Sequence, residues 1–400
     1  MSVVKDSVVY LIGEVISKGI PYFLLPFVAS SLGNEEYGRL AYYQVFVVLS
    51  TIIIGLSQDG AVSRYYYTYG VRAVNLVIYS GAVYAVIVTL FLFMVLSVFD
   101  IKSEYYLCVG AAFFSVMLST QLSLNQCQRY VKKYLLIQIA NSVCTMAFII
   151  IFFSIHHASV FLYFSSVILS SFISLFICFV FLFNKGKLKW MNFYRFKKYN
   201  VYLFSFGFPL VFHQLSIFAK GQVDRLFVFN GFGLKELGVY SLGVQVATAY
   251  SVFIMALNKA ILPYYFKSLK EKKLSEEKIL FYSFFSIFIC FIPALFFFII
   301  PSAWYTLIFG SDFSGVKYYV VFFVFSFGLN IPYLLIVNYF FYYGKTSLIS
   351  KVTFTSSLLY VAMLYFLSRH SLHYLPFSLL ISNVFMLCVF YFLLYKYSKG

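Results

Sequence analysis

The 400-residue sequence is 62% hydrophobic and 11% charged, with a mean hydropathy of +0.89, whereas a water-soluble domain is about 45–50% apolar and about 25% charged. That composition excludes a water-soluble fold, and 52 Phe with 37 Tyr suit lipid-facing surfaces and interfacial aromatic belts. The net charge of +17 does not mark a nucleic-acid binder, because the 30 Lys and Arg are scattered between apolar runs and form no basic helical face.

The chain opens with MSVVKDSVVYLIGEVISKGIPYFLLPF, an apolar run interrupted by charges and longer than the core of a secretory signal. No small-residue cleavage site follows, so the first helix is expected to stay in the membrane. A hydrocarbon core of about 30 Å needs about 20 apolar residues in a helix. Charged and Gly/Asn/Asp-rich breaks delimit runs at 8–30, 40–58, 73–98, 105–127, 134–155 and 159–183. The basic connector NKGKLKWMNFYRFKKYN at 184–200 comes next, then runs at 201–226, 239–264, 279–300, 316–341, 347–367 and 374–395. The sequence therefore predicts an all-α integral membrane protein of 12 transmembrane helices, divided into 1–183, the connector 184–200 and 201–400.

The distribution of positive charge tests that count, since Lys and Arg collect in cytoplasmic loops. With the N-terminus inside, the cytoplasmic segments hold 20 Lys and Arg, and the outer loops hold five: Arg39, Lys102, Lys235, Lys317 and Arg369. The alternation supports 12 spans with both termini cytoplasmic. The six cysteines lie inside or at the ends of apolar runs without a CxxC or a Cys/His cluster, which reads as small hydrophobes.

An internal repeat links the halves. LGNEEYG at 32–38 recurs as FGLKELG at 232–238, pairing Gly33 with Gly233, Glu36 with Glu236 and Gly38 with Gly238 at an offset of 200, and the same offset pairs Tyr65 with Tyr265. Upstream, GIP at 19–21 matches GFP at 207–209 at a shorter offset. Repeats separated by six spans have parallel topology.

The segment KGIPYFLLPFVASSLGNEEYGRLAYYQVFVVLSTIIIGLSQDGAVSRYY resembles Wzx-type O-antigen and polysaccharide flippases, through its KG opening, its LGxxEYG turn and the glycine at Gly55. The second-half segment, FSFGFPLVFHQLSIFAKGQVDRLFVFNGFGLKELGVYSLGVQVATAYSVFIMALNKAILPYYF, is similar in carrying FGxPL, an Asp-Arg pair and LGxYS. These flippases belong to the exporter superfamily that also holds multidrug and toxic-compound extruders. The resemblance implies two six-helix bundles around a central cavity, switching between inward-open and outward-open states. The implied cargo is an undecaprenyl-pyrophosphate-linked oligosaccharide, moved from the cytoplasmic to the periplasmic leaflet, with a polymerase and a chain-length regulator of the same pathway as further partners and no nucleic acid.

Ionisable groups inside spans are costly and tend to face a cavity or a partner. On the first span Glu14 and Lys18 sit four apart, on one face. On the seventh, His213, Lys220 and Asp224 share a face with Arg225 adjacent. Lys18, Lys220, Arg225 and His213 are candidates to offer positive charge to pyrophosphate or acidic sugars, and Glu14 and Asp224 to hold those cations or exchange protons. The competing reading is that Glu14 with Lys18, and Lys220 with Asp224, neutralise each other as i,i+4 pairs. Lys259 on span eight and Arg64 just beyond span two are further candidates, set against helix-end snorkelling and loop basicity respectively. The stripes Gln121, Asn125, Gln128 and Gln138, Asn141, Thr145 offer hydroxyl contacts or interhelical hydrogen bonds, and Ser166, Ser170 and Ser174 form a small-residue packing face.

No GxxxxGK[ST] sequence occurs, so no ATP hydrolysis is expected. The driving force is then a gradient, H+ or Na+, or removal of product, with no cofactor and no metal. A cation antiporter would call for unpaired membrane acids, whereas the span interiors are net basic. A polymerase or O-acyltransferase would need catalytic Arg or His on sizeable outer loops or in the membrane, and His156, His157, His370 and His373 show no organised partners in sequence. The chain is therefore expected not to be an enzyme.

Overall fold

A computed structural model describes the backbone of residues 2–183 and 193–398 and the side chains of residues 17, 19–180 and 196–397. The chain is helical in the order α1 (Ser2–Gly55), α2 (Gln58–Tyr69), α3 (Val74–Val98), α4 (Ser103–Cys127), α5 (Val131–Ile155), α6 (Val160–Phe183) and α7 (Phe193–Phe232). It continues with α8 (Leu234–Lys270), α9 (Glu276–Ile299), α10 (Ser302–Phe309), α11 (Val316–Gly328), α12 (Asn330–Tyr342), α13 (Thr346–Leu367) and α14 (Leu375–Ser398). No strand occurs among the described residues. Lipid offers no partner to a free backbone group, and a helix satisfies its own.

Eleven described helical stretches are long and apolar enough to cross a membrane. The first, Gly19–Tyr69, holds two of the expected spans, because Gly33 breaks α1 at φ 69°, ψ 174° into arms 2–32 and 34–55. Gly233, between α7 and α8, repeats that geometry at φ 88°, ψ −176°. Glycine carries no Cβ penalty at such angles. The expected tenth span is also interrupted. Leu329 alone separates α11, which ends at Gly328, from α12, and Pro332 falls in the first turn of α12, where a missing N–H costs nothing.

One further break carries no glycine. Between α1 and α2, Leu56 and Ser57 lie at φ 43° and φ 52°, a left-handed conformation costing an L-residue roughly 1–2 kcal/mol. The run expected at 40–58 ends there, and α2 beyond it is a helix that the hydropathy pattern does not announce.

The chain packs as two compact units, one of residues 1–24 and 40–218, the other of 25–39 and 219–400. The sequence division at 184–200 falls mostly on residues 184–192, outside the described residues; by packing, 25–39 go with the second unit and 201–218 with the first.

In the first unit, α3 and α4 pack on the arm 34–55 through Ile54, Ala85, Val109, Ala112 and Val116. Ala61, Val62, Val74, Val77, Leu124 and Leu203 join α2, α3, α4 and the start of α7. Small side chains bring membrane helices close enough for dispersion and hydrogen bonds to hold them. The α5–α6 pair shows this: Thr145 and Ser170 hydroxyls lie 2.6 Å apart, and Ser174 donates to Asn141 Oδ1 at 3.2 Å. Asn141 and Thr145 of the stripe thus contribute interhelical bonding, whereas Gln138 Oε1 is buried without a partner, and Ser166, Ser170 and Ser174 are fully buried.

In the second unit, Gly243 of α8 meets Tyr319 and the backbone at Val320 of α11. A cluster including Tyr265, Ile279, Ile336, Phe340 and Phe390 joins α8, α9, α12 and α14. The unit also takes in the turn after Gly33. A Cβ on Gly38 would collide with the Leu234 carbonyl, and one on Gly238 with the Asn34 carbonyl. Residues 34 and 234 are repeat partners, so the contact is self-complementary about a local two-fold. Asn34 donates to the Asp312 carbonyl at 3.3 Å, and Tyr37 meets Phe313 edge-on at 5.8 Å.

Candidate functional site

The charged face of α7 enters the second unit at Lys220, and the helix rise puts Asp224 about 6 Å further on. Two opposite charges one turn apart ordinarily pair. Here they do not: no ion pair joins them among the described residues, and each turns to a different partner. The Lys220 ammonium donates to Ser356 Oγ of α13 at 2.7 Å. Ser356 is locked in turn to α14, accepting from Ser382 Oγ at its carbonyl (2.7 Å) and reaching the Ser382 carbonyl at 2.9 Å. Two facing serines let α13 and α14 approach closely enough for this reciprocal bonding. The mutual-neutralisation reading of Lys220 and Asp224 is therefore corrected, because better-placed hydroxyls on neighbouring helices compete for both charges.

Asp224 is 4% exposed. Its Oδ2 accepts from the Tyr240 hydroxyl of α8 at 2.8 Å and its Oδ1 from the Arg225 backbone N–H at 3.0 Å, and the Tyr360 hydroxyl of α13 lies alongside, between Asp224 and Ser378. Arg225 is 5% exposed, with its guanidinium on Gln222, and its Nε has no partner. Burying one charge is expensive; burying two adjacent opposite charges with hydrogen bonds is far less so. The carboxylate is held by the Tyr240 hydroxyl and the Arg225 backbone N–H, with the Arg225 charge next in the chain, and Lys220 meets a neutral hydroxyl. Arg225 is thus held inside the unit.

The other expected positions fall in both units. Lys259 is exposed on α8. His213 is exposed on the part of α7 that packs with the first unit, as is Arg64 on α2, whose guanidinium lies 5.2 Å from the Phe206 ring centroid. The side chains of Glu14 and Lys18 lie outside the described residues. Sequence reasoning missed Tyr240, Ser356, Tyr360 and Ser382. Tyr240 stands inside the LGVYS motif and was within reach; Ser356 and Ser382 carry no local signal, since their role comes from a contact between distant helices. Among the described residues no group of three His, Cys, Asp or Glu is placed to hold a metal.

Residues 3–269 match the family described as polysaccharide biosynthesis protein. The chain belongs to that family. A Haemophilus influenzae protein named for the Lsg locus is 39% identical over 403 positions, covering 100% of both chains. An uncharacterised membrane protein of the same organism is 38% identical, covering 100% of this chain and 98% of its own. Among solved structures, a multidrug resistance MATE family transporter of the MOP superfamily aligns in its inward-facing form with a TM-score of 0.68 at 15% identity, covering 94% of each chain. A MOP superfamily transporter from Pyrococcus furiosus, whose reverse polarity of binding pocket suggests a different function, aligns with a TM-score of 0.60 at 15% identity, covering 99% of this chain and 96% of its own. At that identity the likeness is one of fold: this polysaccharide biosynthesis family member has the helical architecture of MOP-superfamily transporters.

Proposed function

We propose that this chain is a flippase for a lipid-linked oligosaccharide of the undecaprenyl-pyrophosphate type. It lies in the bacterial inner membrane with both termini in the cytoplasm and carries its cargo to the periplasmic leaflet by alternating access. Family membership supports a role in polysaccharide synthesis, and the transporter fold supports translocation. The observation that carries the reading is Lys220, an ammonium on a membrane helix whose partner is a neutral serine. A cation without a carboxylate in a low-dielectric setting attracts an anion, and phosphate oxygens answer an ammonium with short, charge-assisted hydrogen bonds. The acid one turn on, Asp224, already accepts from the Arg225 backbone N–H and the Tyr240 hydroxyl, which disfavours a cationic cargo. Pocket polarity, the property tied to a different function in the Pyrococcus furiosus transporter, is at issue here too. Coupling to an H+ or Na+ gradient supplies the drive.

The test replaces Lys220→Gln and Lys220→Arg in cells that depend on this gene for surface polysaccharide. The glutamine variant is expected to insert normally while lipid-linked repeat units accumulate on the cytoplasmic face, and the arginine variant to retain part of the export. Normal export with Lys220→Gln, or energy-dependent efflux of cationic dyes by the wild type, overturns the reading.

A further inference from the structure

The paired repeats disagree at one place. After Gly233, α8 runs without interruption through 256 and 257. After Gly33, the equivalent arm stops at Gly55, passes through two left-handed residues, Leu56 and Ser57, and restarts as α2. The architecture therefore does not require a break here, and neither residue is one that favours the left-handed region. Strain of this kind persists only where surroundings hold it, and it gathers at moving parts.

The surroundings that hold it are identifiable. Gln214 of α7 donates from Nε2 to Ser57 Oγ at 3.0 Å. The backbone of α7 at Gly207 presses on the Leu56 carbonyl, where any Cβ would collide. The carbonyl of Ile53, released by the break, accepts from the Tyr84 hydroxyl at 3.0 Å. Two buried polar atoms beside the break remain without partners, Gln58 Oε1 and Ser80 Oγ, and Gln58 Oε1 lies against Gly81, the neighbour of Ser80. A buried acceptor left unpaired favours any alternative arrangement that pairs it. Strain, an external latch and unpaired polar groups meet at one joint.

We propose that Leu56–Ser57 is a latched hinge: α2 changes its angle to the arm 34–55 during the working cycle, and Gln214 with Gly207 holds the bent state. Gln214 is on this account a positioning residue that acts through Ser57. The inference does not depend on the cargo, only on the chain having a second state.

Spin labels at Ser50→Cys and Tyr67→Cys, in full-length protein in nanodiscs with the one exposed native cysteine removed as Cys388→Ala, report the joint. A continuous helix would separate these positions by about 26 Å along its axis. Protein with the latch intact should show a dominant shorter distance, and Gln214→Leu should add a population near about 26 Å, which Gln214→Asn, keeping the amide, should largely reverse. The double variant Leu56→Ala with Ser57→Ala should sit mostly at the long distance and lose transport while staying monodisperse. An unchanged distribution in Gln214→Leu, a dominant long distance with the latch intact, or full transport by the straightened double variant overturns the hinge.

Discussion

The arm 34–58 and the arm 234–258 start from the same backbone geometry at Gly33 and Gly233, cross at Gly38 and Gly238, and pack on the fourth and tenth spans at matching positions. Tyr43 receives the Cys108 thiol at its carbonyl, and Gly243 meets Val320. They then diverge in chemistry. Leu40 is apolar where Tyr240 holds Asp224, and Leu56–Ser57 break the first arm where the second continues. The shared features are those a membrane bundle needs to close its packing. The unshared ones place a charge-holding site in the second unit and a strained joint in the first, so a common scaffold geometry carries different chemistry in its two arms.

The largest expected effect tests the shared part. Gly38→Val and Gly238→Val each force a side chain into a backbone carbonyl, and each should lower stability by about 3 kcal/mol, read as loss of detergent-solubilised thermal stability. Equal losses support the local two-fold; a neutral variant at either glycine breaks it. Next comes Tyr240→Phe, which strips a donor from a buried carboxylate and should cost about 2 kcal/mol, whereas the volume-conserving Leu40→Met at the equivalent position leaves no polar group unpaired and should cost under about 1.5 kcal/mol. Matching losses would erase the distinction between the arms. The smallest effect belongs to Gly233→Ala, about 1 kcal/mol at the low end of the cost of such backbone angles, because its Cβ would meet open space, with Gly33→Ala somewhat costlier since its Cβ would lie 3.2 Å from Asp312 Oδ2.

Much of the scaffold was legible because membrane physics writes it locally. The run expected at 73–98 is Val74–Val98, and the run at 316–341 is the interrupted span of α11 and α12. Gly33 and Gly233 were visible as repeat partners since a glycine-dependent turn leaves glycine in the sequence. Leu56–Ser57 was invisible for the complementary reason: its conformation is imposed by Gln214 and Gly207 from about 150 positions away. The polar α2 and the short α10 escaped a search tuned to spanning length. The charges on α7 were found and their partners were not, since i,i+4 spacing predicts a pair that Ser356 and Tyr240 dissolve.

The most direct measurement reconstitutes the purified protein in liposomes whose lumenal leaflet carries a lipid-pyrophosphate-linked oligosaccharide, imposes an H+ or Na+ gradient of either direction, and follows exposure of the glycan to an external glycosidase. Loss of one charge-assisted hydrogen bond, about 1.5–3 kcal/mol, corresponds to about tenfold or more in rate. The wild type should expose the glycan well above protein-free liposomes, and Lys220→Gln should do so about tenfold more slowly. Exposure no faster than in protein-free liposomes, or an equal rate for wild type and Lys220→Gln, would contradict the assignment of this chain as a flippase working through that lysine.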